Sequence, residues 1–434
     1  MESQIFQFRD PIHGFIEVTE DERKIIDSAP FQRLRNIRQL ATTYLVYHGA
    51  EHTRFGHSLG VMHLVTRAFD SVVSKNPLLF CKNKKENDVR VKWYRQILRL
   101  IALTHDLGHP PFSHSGEELF PDNLKHEDYT KKILMETEIR DYIDEIGKKF
   151  QKKYGASYKI DSELLWLIYE GKDIISERFI TPDFLFLKSF MDGELDCDKM
   201  DYLLRDSLYC GVSYGKYDLE RLICTLTAYK SKEENSLQLA VERGGAQVLE
   251  EFILARYFMF IQVYFHRTRR YLDKVLKENL SKILKKGKFP SDVHEYLKWD
   301  DNLVLTNLKK ISDVKFTDRQ IMTCVYESPF HSGKSEKSND RLLYNILKKT
   351  YGEDILYDEV DKEAHKLQPV LAGIKDDSGK GIPVIDEKTN KAQNIMEISL
   401  ILKSLIVPIG IQRIYTKKEK KDSVKKEIEN LLKK

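Results

Sequence analysis

The first stretch of the chain alternates and the next does not. "IFQFRDPIHGFIEVT" places apolar and polar residues in turn and reverses at Asp10-Pro11 and Gly14, which predicts a short β-hairpin. From about Asp21 to Asp206 the spacing is mostly helical. In "DERKIIDSAPFQRLRNIRQL" the apolar positions Ile25, Ile26, Phe31, Leu34, Ile37 and Leu40 recur at helical intervals around Pro30. "SLGVMHLVTRAFDSVV" and "WYRQILRLIALTHDL" read as two buried or half-buried helices, with residues 82–90 as a charged loop between them. "LICTLTAYK" and "SLQLAVERG", either side of residues 231–235, read as a second hairpin. The apolar run from Gly245 to Leu284 reads as one very long helix. Its aromatic stripe (Phe252, Tyr257, Phe260, Tyr264, Tyr271) reads as core. After Gly287 the pattern changes. "HSGKSEKSND" and "DDSGKGIPVIDEKTNKA" are polar and turn-rich, and "LIVPIGIQRIYT" is strand-like. The tail 417–434 reads as a solvated amphipathic helix. The expected fold is mainly α, with small β-hairpins, in two parts: a helical core over 1–289 and a mixed α/β lobe over 290–434.

Composition narrows the class. Apolar residues make up 41% of the 434 positions, enough for a sizeable core. The net charge of +4 does not call for nucleic acid as a partner. Five cysteines form no CxxC pair and no closely spaced framework, so they read as reduced thiols. No signal-like apolar segment opens the chain, and no run reaches the length of a membrane span. A cytoplasmic protein without membrane contact is expected.

Histidine placement is uneven. Eight of the thirteen (His48, His52, His57, His63, His105, His109, His114, His126) fall in one region. His105 and Asp106 end an apolar helix, so their side chains emerge at the rim of the core about 100° apart and can reach one ion. His57 and Asp198 stand at predicted helix starts on either side. Two imidazoles and two carboxylates give a nitrogen and oxygen shell without sulfur, which suits Fe, Mn, Zn or Mg. Taken singly, each histidine also reads as an ordinary helix-end or core residue. Glycines and Pro110-Pro111 interleave this segment, which is the pattern of an active-site loop. Downstream, "DKMDYLLRD" places Asp198, Lys199, Tyr202 and Asp206 along one helix face. That face reads either as solvated charge or as a surface for a phosphate ester.

These residues resemble a known family. His57, His105-Asp106 and Asp198 match the H…HD…D signature of HD-domain phosphohydrolases. "DPIHG", "FQRLRNIRQL", "TRFGHSLGV", "HDLGHPPFSH" and "DCDKMDYLLRDS", in that order, resemble the deoxynucleoside triphosphate (dNTP) triphosphohydrolase branch over residues 5–275. The resemblance implies hydrolysis of dNTPs to deoxynucleoside and tripolyphosphate. It implies that His57, His105, Asp106 and Asp198 hold a divalent metal ion. His126 would be the general acid and Glu117 its orienting partner, in a position where a relative has Asp. Arg54, His109, His114, Lys199 and Tyr202 would bind the triphosphate. Gln39 and Asp206 would meet the sugar 3′-hydroxyl, with Leu40 crowding the 2′ position. It further implies a homotetramer in which Asp27, Gln32 and Arg35 bind an activating nucleotide, GTP or a dNTP. The same three residues also read as ordinary helix-surface positions. An arginine that a relative uses on the long helix corresponds to Gln262.

Two alternatives stay open on sequence. One is a different HD reaction, on a nucleoside monophosphate, a cyclic nucleotide or guanosine tetraphosphate, which would share the metal ligands. The other is a non-catalytic nucleotide sensor or nucleic-acid-binding protein, which the presence of every ligand and of His126 disfavours.

Overall fold

Two antiparallel strands, β1 (Ile5–Asp10) and β2 (Gly14–Thr19), open the chain and pair in register from Ile5↔Thr19 to Asp10↔Gly14. The computed structural model describes residues 4–171, 183–230, 237–310, 321–367, 381–389 and 391–433. Residues 231–236 of the predicted second hairpin, and residues 376–380 and 390 of the polar segment, lie outside them.

Thr19 caps the next helix, Glu20–Asp27. Its hydroxyl accepts from the Glu22 N–H while the Glu22 carboxylate accepts from the Thr19 N–H. A short helical turn Ala29–Gln32 and a tighter one Arg33–Asn36 follow around Pro30. The helix Arg54–Lys75 then runs through the centre, apolar on nearly every face: Val61, Met62, Leu64, Val65 and Ala68 are all fully buried. A helix buried all round belongs in the middle of a core.

The second long helix is Lys84–Thr104, so the expected charged loop is itself mostly helical. The reason is local and polar. Asn83 accepts from the Glu86 N–H at 3.1 Å and caps the helix. Asn87, fully buried, accepts from the N–H groups of Phe80 and Cys81 and ties the preceding turn down. Helices His126–Glu136, Glu138–Tyr154 and Cys197–Cys210 complete the shell around the two central ones. Asp196 caps the last by accepting from the Lys199 N–H at 2.8 Å, and Gly211, left-handed at φ 68°, ends it.

The long apolar run is not one helix. It forms Ala246–Met259, a π-helical turn Phe260–Tyr264 and, after a break at Phe265-His266, a further helix Arg267–Ile283. The wider π turn lets the Tyr264 hydroxyl reach Asp206 at 2.7 Å, and such insertions are a recognised cause of helix breaks.

Strands β3 (Leu226–Lys230) and β4 (Leu237–Glu242) pair antiparallel. Later in the chain come β5 (Thr323–Glu327), β6 (Ile355–Lys362), β7 (Pro383–Asp386), β8 (Lys391–Asn394) and β9 (Ile409–Thr416). The second sheet has the order β3-β4-β7-β8, with β4 and β7 parallel. It therefore joins strands from both sides of residue 290. A third sheet has the order β5-β9-β6, against which the helices Lys334–Tyr351 and Lys421–Leu432 pack. The whole is a mainly α fold with small β elements. All five cysteines are unpaired. No helix among the described residues is long and apolar enough to cross a membrane.

Candidate active site

Three helix ends meet at one point. His57 lies in the first turn of Arg54–Lys75, His105 and Asp106 follow the last residue of Lys84–Thr104, and Asp198 lies in the first turn of Cys197–Cys210. His57 Nε2 is 2.9 Å from Asp198 Oδ1 and 3.6 Å from Asp106 Oδ2. His105 Nε2 is 3.3 Å from Asp106 Oδ1 and 3.8 Å from Asp198 Oδ1. Asp198 keeps 34% of its side chain exposed, whereas the other three are buried.

The donor set fits a divalent cation. His57 Nδ1 is taken by Asp201 Oδ2 at 2.8 Å, and His105 Nδ1 by the Ala102 carbonyl at 2.7 Å. Both rings are thereby held with Nε2 facing the carboxylates, and His105 Nε2, fully buried, has no hydrogen-bond partner. Burial opposes a charged His57. Its bonds to Asp198 and Asp201 and the nearby charge of Asp106 outweigh that and push its pKa up to about 10. Burial likewise opposes ionisation of Asp106 and Asp198, but Arg54 and His105 hold the first, and His105 and His57 the second, well below the ordinary carboxylate range. Two ionised carboxylates face two imidazole Nε2 atoms, so a bound cation would take the place of the proton that His57 otherwise holds. With nitrogen and carboxylate donors and no thiolate, it suits Fe, Mn, Zn or Mg.

A residue network from the first hairpin supports the cage. Asp201, fully buried, also accepts from Arg205 Nε at 2.8 Å and Nη2 at 2.9 Å, and it bonds His13 Nε2 at 2.6 Å. Asp10 in turn accepts from Arg205 Nη1 at 2.9 Å and from the His13 backbone N–H at 3.0 Å. The "DPIHG" and "YLLRD" blocks thus act through one carboxylate on His57. Sequence patterning marked both blocks but could not pair them.

A second group sits beside the first. Donor atoms of His109, His114, Glu117 and His126 all lie within 4.8 Å of one another. His126 Nδ1 is 2.6 Å from Glu117 Oε1, and His114 Nδ1 is 3.0 Å from the same oxygen. His109 links the groups, with its ring stacked on His126 at 3.9 Å and its Nε2 at 3.3 Å from Asp106 Oδ1. Burial, Arg54 and His126 drive the His109 pKa far down, so that ring is neutral. Burial opposes a charged Glu117, but bonds to His114 and His126 keep it ionised. The loop that carries these residues turns through left-handed Phe112 and Ser113, at φ 57° and 52°. Buried Asp301 accepts from the Phe112 N–H at 2.7 Å, and Ser113 Oγ accepts from Arg54 Nε at 2.8 Å.

The cage opens on a cavity of about 630 Å³. Gln39, Leu40, Arg54, His114, Asp198, Lys199, Tyr202 and Asp206 line it. Arg54 Nη1 also bonds Asp106 Oδ2 at 2.5 Å. Lys199 is tied to Asp196 at 2.5 Å and to the Gly193 carbonyl at 2.8 Å. Asp206 is engaged by His52 Nε2 and by the Tyr264 hydroxyl, both at 2.7 Å. Asp27, Gln32 and Arg35 are not on this cavity. Asp27 pairs with Arg23 at 3.1 Å, and Arg35 donates to Gln32 Oε1 at 2.8 Å while its guanidinium lies over Phe55.

Two expectations about the aromatic helix change. Phe260 and Tyr264 line the cavity in addition to packing. Gln262 does not line it, and the helix instead contributes Arg256, earlier on the same run and 5% exposed. Lys362 and Lys366 line it from the C-terminal part. Nothing local marks these three cations, because only tertiary packing brings them to the site.

Helix ends that converge two imidazoles and two carboxylates beside a cation-rich cavity define a metal-site hydrolase of helical architecture. An HD-domain model matches residues 54–177, and an HD-associated region matches 217–325. The chain belongs to the HD-domain family of phosphohydrolases. It is 34% identical over 320 residues to an uncharacterized protein of Bacillus subtilis, covering 70% of this chain and 63% of that one. It is 25% identical over 382 residues to the deoxynucleoside triphosphate triphosphohydrolase SAMHD1 of Danio rerio, covering 83% and 57%. The chain thus spans less than two thirds of either relative's length. The solved structure of a hypothetical protein from Aquifex aeolicus shares the fold, with TM-score 0.76, 32% identity and coverage of 98% of this chain and all of that one.

Proposed function

We propose that the protein hydrolyses dNTPs to deoxynucleoside and tripolyphosphate. The observation that carries this reading is the placement of the His57, His105, Asp106, Asp198 cage and the His126–Glu117 pair on either side of His109, with Asp198 and His114 reaching a cavity that Arg54, Lys199 and Tyr202 also line. A divalent cation held by the cage would supply Lewis-acid polarisation of a phosphoryl oxygen and lower the pKa of the attacking water. Arg54, His114, Lys199 and Tyr202 bind the triphosphate oxygens, with neutral His109 beside them. Water adds to the α-phosphorus and the bond from phosphorus to the 5′-oxygen breaks. His126 gives its proton to that leaving oxygen, with Glu117 orienting the ring. Gln39, whose buried Oε1 is without a partner, and Asp206 meet the deoxyribose, and Leu40 closes the 2′ side.

We further infer a homo-oligomer, a tetramer, regulated by GTP or a dNTP at Asp27, Gln32 and Arg35. The test is product analysis. Metal-loaded protein is incubated with each dNTP, alone and with GTP, and the phosphate product is identified. Tripolyphosphate with deoxynucleoside is expected. Orthophosphate or pyrophosphate would replace this reading with another HD reaction.

A further inference from the structure

The cavity rim holds more positive charge than the residues named above account for. Lys362 ends β6 and Lys366 follows four residues later, and both are exposed and face the cavity. The segment that carries them is firmly seated. Val360, Ala364 and Leu367 are buried in the main core. Arg256 Nη1 donates to the Ala364 carbonyl, midway between the two lysines. His365 Nε2 bonds the Leu402 carbonyl at 3.0 Å.

Three of the neighbouring carboxylates are already matched, while Glu363, exposed between the two lysines, bears on Lys362. Asp192 pairs with Lys188 at 2.8 Å, Asp196 with Lys199 at 2.5 Å, and Glu194 with Arg256 at 3.6 Å. Among the described residues neither Lys362 nor Lys366 forms an ion pair. Arg256 Nε, buried beside them, has no hydrogen-bond partner. Desolvation lowers the Lys362 pKa, and the charges of Arg256, Lys366 and Lys199 lower it further against the opposing charge of Glu363, so the four cations bear on one another. Mutually repelling cations at a cavity mouth are stabilised by an anion.

We propose that Lys362 and Lys366 form an anion station at the cavity rim that takes the terminal phosphate of a polyphosphate substrate and so selects for phosphate-chain length. This rests on the triphosphohydrolase reading for the substrate's identity, but not for the binding of the anion.

The test uses the full chain with Lys362→Ala, Lys366→Ala and the double variant, and with the double Lys→Arg variant as the conservative control. Inorganic tripolyphosphate and pyrophosphate are titrated calorimetrically into chelator-treated protein, so that no turnover is needed. The double alanine variant is expected to bind tripolyphosphate about tenfold more weakly or worse, with pyrophosphate weakened less than about threefold, and arginine is expected to restore binding. In kinetics, the KM for a triphosphate rises with kcat held, and discrimination against the diphosphate falls. Unchanged tripolyphosphate affinity in the double variant, equal loss for both anions, or no binding by the wild type would each overturn the station. If the anion result holds while product analysis yields a different phosphate, the station stands and the dNTP reading fails.

Discussion

His57 Nδ1 donates to Asp201 Oδ2 at 2.8 Å, and this single bond fixes which nitrogen of His57 faces the cage. Asp201 is in turn gripped by Arg205 from its own helix and by His13 from the turn between β1 and β2. The first hairpin therefore acts on the metal site without touching it.

Asp201→Asn should weaken divalent metal binding about 10- to 100-fold, because an amide orients the imidazole less well than a carboxylate does. It should also lower stability by about 3 kcal/mol or more, since Arg205 loses its bidentate partner in a buried site. Metal titration alongside thermal unfolding separates the two effects. A lowered Tm with unchanged metal affinity would make Asp201 a purely structural residue.

His126→Ala should retain fold and metal while turnover falls about 10²- to 10⁴-fold, the usual worth of a general acid. Asp198→Ala should lose metal and activity together. Metal content per chain is the decisive measurement. If the wild type carries two ions and His126→Ala carries one, the His109, His114, Glu117, His126 group is itself an ion site and the acid assignment fails.

Gly108→Ala should disturb the site from outside it. A Cβ there would lie 2.0 Å from the His126 carbonyl oxygen and 2.3 Å from the Thr130 nitrogen, both backbone atoms that cannot swing aside. The helix His126–Glu136 must shift, and His126 with it. A loss of about 1–3 kcal/mol is expected, with a fall in kcat. Retention of wild-type Tm and kcat would show that the loop relaxes freely.

The pH dependence of stability should carry a signature of Asp301. Burial pushes its pKa up to about 6, against the backbone N–H bonds from Phe112 and Arg38 that lower it. A carboxyl whose folded pKa lies above its unfolded value binds its proton more tightly when folded. Its contribution is complete below about pH 4 and is lost as pH rises through about 6. Relative to Asp301→Asn, the wild type should lose stability on the order of 3 kcal/mol across that window. Parallel pH profiles for the two proteins would refute this.

Alternation in "IFQFRDPIHGFIEVT", helical spacing through Leu40 and the apolar runs around His57 and before His105 were readable because each is a short-range pattern. They produce β1 and β2, the central helices and the helix ends where ligands emerge. Two local readings failed for reasons spacing does not carry. Residues 84–90 are helical because Asn83 and Asn87 satisfy backbone groups, not because an apolar stripe runs through them. The run from Gly245 widens into a π turn at Phe260–Tyr264, where Tyr264 bonds Asp206, a residue far earlier in the chain, and breaks at Phe265-His266.

What the sequence alone determined is the inventory and its local setting: helices of the right length, polar residues at their ends, and the histidines and carboxylates that a family signature links. The tertiary structure decided which of these meet. It brought Asp198 to His57, joined Asp10 and His13 to Arg205 and Asp201, and carried Lys362 and Lys366 to the cavity that Arg256 lines. Periodicity records which face of each element is buried. It does not record which buried faces will find one another, because that choice is made by complementary packing between segments that share no pattern along the chain.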